Sequence, residues 1–330
     1  MAWTRERGSS SNPTGVSLGA DGYGEWLGRT DGSWIWAKGS TLSFGGMAQR
    51  QRDDGNAYEY YLNPYVLLKL DQYRGTATRH GAYVQQNWSA AKGRVTFTAG
   101  TRYDHTNVTG GYLVSPFASF TVQPLTATRV QLGWGKYGQF PDLSQSYSIF
   151  GSRWLLPERA THYEAAIEQN LDDKTRLRLE YYDRQDRDLL WRPLFDPRLL
   201  PNGKVFTAPN SAPTVNSQRG YSRGFQVFLR RRTANGFTGW ISYAYGVAKV
   251  TDGVLHLTFL PASQRIDFRI NKAFVHDKWK MTLYGEVVNL LNHDNRRFDA
   301  FDGYTSSGQA FPTFFDMFPI LPSVGLVFER

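Results

Sequence analysis

The 330 residues predict an all-β fold. It is a transmembrane antiparallel up-and-down β-barrel, or part of one, with about 13–14 long strands, short periplasmic turns and long extracellular loops. Three observations carry this. Apolar and polar residues alternate over segments roughly twice the usual length of a half-buried soluble strand. Tight and long connections alternate along the chain. No run approaches about 18 apolar residues, which excludes a helical span, although 41% of the chain is hydrophobic.

Each strand follows from a period of two. The first is expected over about 22–37, which leaves 1–21 as an extracellular-side loop or disordered start without a visible signal peptide. "GRVTFTAGTRYDH" (93–105) sets Val95, Phe97, Ala99 and Tyr103 against Arg94, Thr96, Thr98, Arg102 and Asp104. "TATRVQLGWGKYG" sets Val130, Leu132 and Trp134 against Arg129 and Gln131. "RATHYEAAIEQNLDD" has helical composition, but Tyr163, Ala165 and Ile167 oppose His162, Glu164 and Glu168, and its neighbours need an antiparallel partner. "KTRLRLEYYDRQD" opposes Leu177, Leu179 and Tyr181 to Arg176, Arg178 and Glu180. "GFTGWISYAYGVAKV", "QRIDFRINKAF" and "KWKMTLYGEVVNLL" continue the pattern, with Phe268 and Ile270 opposite Asp267 and Arg269.

Tight links fall at 38–40, 89–93, 123–126, 171–174, 233–236 and 275–278, and long ones at 53–77, 105–114, 137–156, 194–216, 250–261 and 294–317. A soluble sandwich has no reason for that order, whereas an outer-membrane barrel has tight periplasmic turns and long outer loops. The apolar face then meets lipid, and the charged face lines the lumen. Trp34, Trp36, Trp88, Trp134, Trp240 and Trp279 near strand ends suit interfacial girdles. The count comes to about 13, an odd number, unless "RTDGS" (29–33) turns and restores the even parity of bacterial barrels.

The chain has no cysteine, which excludes disulfides and thiolate metal sites. Its net charge of +9 is spread along the strands, with only "LRRR" (229–232) clustered, so nucleic acid is not an expected partner.

Several segments resemble the C-terminal part of the barrel of TonB-dependent outer-membrane receptors. They are "YVQQNW" (83–88) with "GTRYDH" (100–105), "LLPERATHYEAAIEQ", "YGEVVNLLNHDN" and the closing "PSVGLVFER". Two departures stand out: Ala166 where the family often has Gly, and Glu329 and Arg330 after the aromatic Phe328. The resemblance implies that 22–330 is the C-terminal portion of a barrel of about 22 strands. The other strands and a plug domain would then lie upstream. It also implies the outer membrane of a Gram-negative bacterium, contact with lipid and lipopolysaccharide, and a TonB complex reached only through the plug. The implied function is uptake of a scarce ligand (siderophore, glycan or peptide). The alternative is a small, complete, porin-like passive channel.

Catalysis and cofactors are not expected. "NHDNRRFDAFD" and "RYDH" place His beside Asp, but no second His lies at ligand spacing, and Asn and Asp favour turns there. Lumen- or plug-facing charges are expected at Arg94, Arg102, Arg129, Glu164, Arg178 and Arg269, with cross-strand ion pairs among such residues or a merely solvated wall. The loop aromatics Tyr60, Tyr61, Tyr65, Trp191, Phe314 and Phe315 are candidates for ligand contact, or for packing on one another.

Overall fold

A computed structural model describes residues 2–62, 65–191, 198–199, 205–206, 213–234, 236–252, 257–259, 262–304 and 310–329. Fourteen strands follow one another in one antiparallel sheet. They are β1 (Ala2–Ser11), β2 (Ser17–Ala37), β3 (Ser40–Leu62), β4 (Tyr65–Ala90), β5 (Val95–Thr106), β6 (Tyr112–Leu125) and β7 (Thr128–Gln139). After these come β8 (Glu158–Asn170), β9 (Thr175–Trp191), β10 (Val215–Ala234), β11 (Phe237–Asp252), β12 (Ser263–His276), β13 (Trp279–Val288) and β14 (Leu321–Glu329). A short strand, Leu257–Phe259, pairs with β11 beside this path, and Arg296–Tyr304 pairs with Ala310–Asp316 inside the last long connection. No ladder joins β1 to β14 among the described residues, so the sheet is open. Among the described residues, no helix is long and apolar enough to cross a membrane.

Because directly paired residues share a face, the ladders define continuous rows. One row runs Ala90, Val95, Val122, Val130, Ile167, Leu179, Val227, Tyr243, Ile266 across nine strands. The next runs Trp88, Phe97, Phe120, Leu132, Ala165, Tyr181, Phe225, Tyr245. On the opposite face lie Arg129, Glu168, Arg178, Phe228, Ser242 and Asp267. Leu132 and Leu179 are 49% and 42% exposed. Burial in a protein core therefore does not hold this sheet. Its apolar rows are shaped for hydrocarbon, in which only a fully hydrogen-bonded ladder is stable.

Near the tight turns, Trp88 stacks on Phe97 at 5.5 Å, and Trp279 on His276 and Phe328 at 5.3 and 5.9 Å. Phe328 thus has a girdle position despite the two residues after it.

The structure revises three expectations. Residues 2–11 form a strand, paired with β2 from Ala2↔Leu27 to Ser11↔Ser17, instead of a loop or disordered start. The second strand begins at Ser17 and runs straight through Arg29–Ser33, paired to Met47–Ser43, so no hairpin forms there. Even parity comes from β1 instead. The segment 53–77 is not an open loop: β3 and β4 continue as a ladder up to Leu62↔Tyr65. By contrast, 158–170 is the strand that its neighbours required, because both β7 and β9 pair with it.

Candidate functional site

The candidate site is the charged inner wall and the end of the sheet that carries the long connections. Along the wall, Arg102 donates two hydrogen bonds of 2.6 Å to Asp104, with Met47 Sδ 3.3 Å away. Arg178 holds Glu180 at 2.6 Å and Arg265 holds Asp267 at 2.8 Å. These pairs lie two residues apart on one strand, where side chains share a face and a long guanidinium bridges the gap. Cross-strand pairs form as well, Arg176 to Glu168 at 3.3 Å and Arg269 to Glu286 at 3.2 Å. Arg269 also donates to Asn271 and lies 4.6 Å above the Tyr284 ring.

Arg129 and Glu164 are exposed on the same face, beside Glu168 and Gly133 in register. Arg94 lies in the turn before β5, where it donates to the carbonyls of Gln123 and Pro124 at 3.0 and 2.7 Å.

The outer surface of β3 passes from Phe44 through Gly46 and Ala48 to Arg50, which marks the upper limit of the apolar band. Beyond that level the inner face carries a polar network. Tyr23 donates to Glu25, and Gln51 to Tyr23 at 3.1 Å. Tyr73 donates to Asp53 at 3.3 Å. Burial, then the bond to Glu25, pushes the Tyr23 phenol up to about 12, and that same bond holds the Glu25 carboxyl below its ordinary value. Burial, then the Asp53 charge, raises Tyr73 to about 12. Burial also raises Asp53.

A group whose folded pKa is raised adds stability below its unfolded value, and that stability is lost as pH rises through the folded value. The β3–β4 extension should therefore loosen as Asp53 ionises, and Asp53→Asn should flatten that slope. Amide exchange of residues 50–58 between about pH 4 and pH 7 measures it; an unchanged slope in the variant would refute the assignment.

The connection between β7 and β8 folds over this network. It contains a short helix, α1 (Leu143–Tyr147), packed against β3 and β4. The Asp142 amide donates to Gln145 Oε1 at 2.8 Å, half of a capping box. Leu143 and Leu155 are buried, as are Phe140, Leu113 and Ala77. The sheet's closest approach to a protein core is thus at its mouth.

The connection is tied on both flanks. Ile149 N donates to Asp71 Oδ1 at 3.1 Å, while Asn216 of β10 bonds both the amide and the carbonyl of Leu156 at 2.7 and 2.9 Å. Gly75 is buried under Tyr147, and a Cβ there would come within 2.7 Å of the ring. Gly75→Leu should therefore displace α1 and raise protease cleavage within 137–156 several-fold, whereas Gly285→Ala, with open space around it, should not. Equal cleavage in both variants would refute the clasp.

Of the loop aromatics, Trp191 ends β9 opposite Val215 and is half-buried. The backbones of Tyr60, Tyr61 and Tyr65 lie in the β3–β4 ladder, and those of Phe314 and Phe315 oppose Phe298 and Arg297, but their side chains fall outside the described residues. No group of three or more His, Asp or Glu that could hold a metal occurs among the described residues. Sequence reasoning missed α1, although "PDLSQ" carries its cap signature, and it missed the Tyr23–Asp53–Tyr73 network, whose members are far apart in the chain.

A sheet apolar and exposed on one face, ion-paired on the other, with its ordered loops at one end, defines the wall of a transmembrane β-barrel. The family profile "TonB dependent receptor-like, beta-barrel" matches residues 2–313, and the chain belongs to that family. The family resides in the outer membrane of Gram-negative bacteria, and its members are receptors and transporters.

Solved structures share the fold at low identity. The FrpB iron transporter from Neisseria meningitidis (F3-3 variant) aligns at a TM-score of 0.69 with 13% identity, over 99% of this chain and 52% of that one. A mutant ferric enterobactin receptor from Pseudomonas aeruginosa, in complex with enterobactin, gives 0.63 and 12%, over 99% and 59%. The copper transporter OprC gives 0.63 and 16%, over 87% and 47%. The chain thus spans about half the length of the structures it matches. No curated sequence matches it.

Proposed function

We propose that this chain is the barrel wall of an energised outer-membrane importer, with the clasped mouth at its ligand-entry end and no catalysis of its own. The observation that carries the reading is the β7–β8 connection, folded inward over the lumen face and anchored to Asp71 on one flank and Asn216 on the other. An ordered loop covers part of this mouth, which fits a barrel whose interior is plugged. Below it, the ion-paired wall presents a polar surface to a plug. Contact with the TonB complex would run through that plug. The barrel's outer surface would meet outer-membrane lipid and lipopolysaccharide. Tyr60, Tyr61, Tyr65, Trp191, Phe314 and Phe315 belong to the same end and would take up the ligand, the aromatic faces giving contact area at low entropic cost.

Ligand uptake by cells that carry the whole receptor tests this. Uptake should saturate, stop when the inner-membrane potential is collapsed, and weaken about tenfold or more on Trp191→Ala, a loss typical of an aromatic anchor. Linear uptake that survives collapse of the potential would instead identify a passive channel.

A further inference from the structure

Two histidines of the sheet face each other and are otherwise unused. Elsewhere, His162 lies 4.7 Å from the Tyr137 ring, His276 stacks on Trp279 at 5.3 Å, and His293 buries its Nδ1 in the turn after β13. His80 of β4 and His105 of β5 differ. Neither has a hydrogen bond, an ion pair or a ring contact among the described residues, and the two stand directly opposite in the β4–β5 ladder.

Since paired residues share a face, both imidazoles project outward, away from the lumen. Their row runs Gly28, Ala48, His80, His105, Tyr112 across β2–β6. It lies one step below the row of Arg50 and Thr78, at the upper edge of the apolar band. His80 is exposed and His105 half-buried. The backbone under them is fixed, because the ladder continues to Arg79↔Thr106 above and Gly81↔Asp104 below. Thr106, where the next turn begins, is buried. Only rotation about side-chain bonds is left to bring the rings together.

Directly opposed residues have Cβ atoms about 4.5–5.5 Å apart, which lets two imidazole nitrogens meet one ion at about 2.0–2.1 Å. The adjoining rows hold Trp26, Arg50 and Thr78 above and Gly46, Ala82 and Tyr103 below, with no carboxylate among them. Calcium and magnesium need several oxygen ligands and find none here. Arg50 repels any cation held by charge alone. Imidazole nitrogen suits the late first-row metals, and copper(II) heads the divalent series.

We propose that His80 and His105 form an outward-facing site for a late first-row divalent cation, copper(II) most tightly. Two protein ligands leave the remaining positions to water, in keeping with the absence of any group of three or more His, Asp or Glu among the described residues. The site lies on the face opposite the lumen, so its ion is not cargo. Bound there, the ion staples β4 to β5 just below the β5–β6 turn. The inference goes beyond the importer reading and stands on the register of the ladder.

The test uses the whole receptor carrying this barrel, purified in detergent, freed of metal and titrated with copper(II) chloride at neutral pH. Bound copper is counted after gel filtration, and electron paramagnetic resonance reports the coordinating nitrogens. His80→Gln and His105→Gln together should remove one copper per receptor, along with its two-nitrogen signal. Either change alone should weaken that site about tenfold or more, as a chelating pair becomes a single ligand. His276→Gln should leave it unchanged, and millimolar magnesium should not compete.

An undiminished copper count in the double variant, single changes as harmless as His276→Gln, or displacement by magnesium overturns the proposal. A heat-modifiable gel band checks that each variant is folded. Where one is not, wild type decides: copper should protect both His80 and His105 from diethyl pyrocarbonate, read by peptide mass. Labelling of either histidine at its copper-free rate would refute the bridge.

Discussion

Leu179→Arg will destabilise the inserted sheet by about 2–4 kcal/mol, the cost of a cation on the lipid face near the bilayer midplane. The position follows from its strand. On the outer face of β9 the apolar run is Leu177, Leu179, Tyr181, and beyond it stands Asp183, which pairs with Arg223 at 3.3 Å. Leu179 is therefore central in the band, with Ile167 and Val227 directly opposite on either side. One residue away, Arg178 points to the other face and holds Glu180. Single cysteines at the two positions separate the faces. A lipid-soluble thiol probe should label position 179, and a membrane-impermeant one should reach position 178 only from within the lumen. The reverse result would mean that the register is wrong, since a one-residue slip exchanges every face.

Residues 1–330 placed alone in a bilayer should give no heat-modifiable, protease-resistant band. β1 and β14 are the two edges of the sheet, and neither ladder closes onto the other. The outer row of amides and carbonyls on β14 would face hydrocarbon, where each unsatisfied group costs several kcal/mol, far more than any side-chain contact described here. Supplying strands that pair with both edges should restore the band and protect the amides of Ala2–Ser11 and Leu321–Glu329 from exchange. Protection of both edges in residues 1–330 alone would show that fourteen strands close on themselves, and a passive pore would return as a reading.

The faces of nearly every strand were legible in the amino-acid order. Phe97, Leu132, Leu179 and Phe268 fall on one face of the sheet, and Arg129, Arg178 and Arg269 on the other, as their alternation required. β1 was not legible, because "RERGSSS" is polar at both parities. It lies largely above the lipid band, where no solvent enforces an apolar face. The upward extension of β3 and β4 was hidden for the same reason. The lumen charges were legible as a set but not as partners: alternation places Arg178 inside, yet does not decide whether Glu168 or Glu180 receives it.

Lipid acts on each residue separately, asking of every second side chain only that it be apolar, so the order of residues was enough to determine barrel class, strand direction and the face that each side chain takes. The mouth answers to a different kind of constraint. Ile149 meets Asp71 across 78 residues and Leu156 meets Asn216 across 60. Gly75 matters only because Tyr147 lands on it. Such contacts leave no period in the chain, because each is a meeting of two remote places, and the folded sheet alone brings them together.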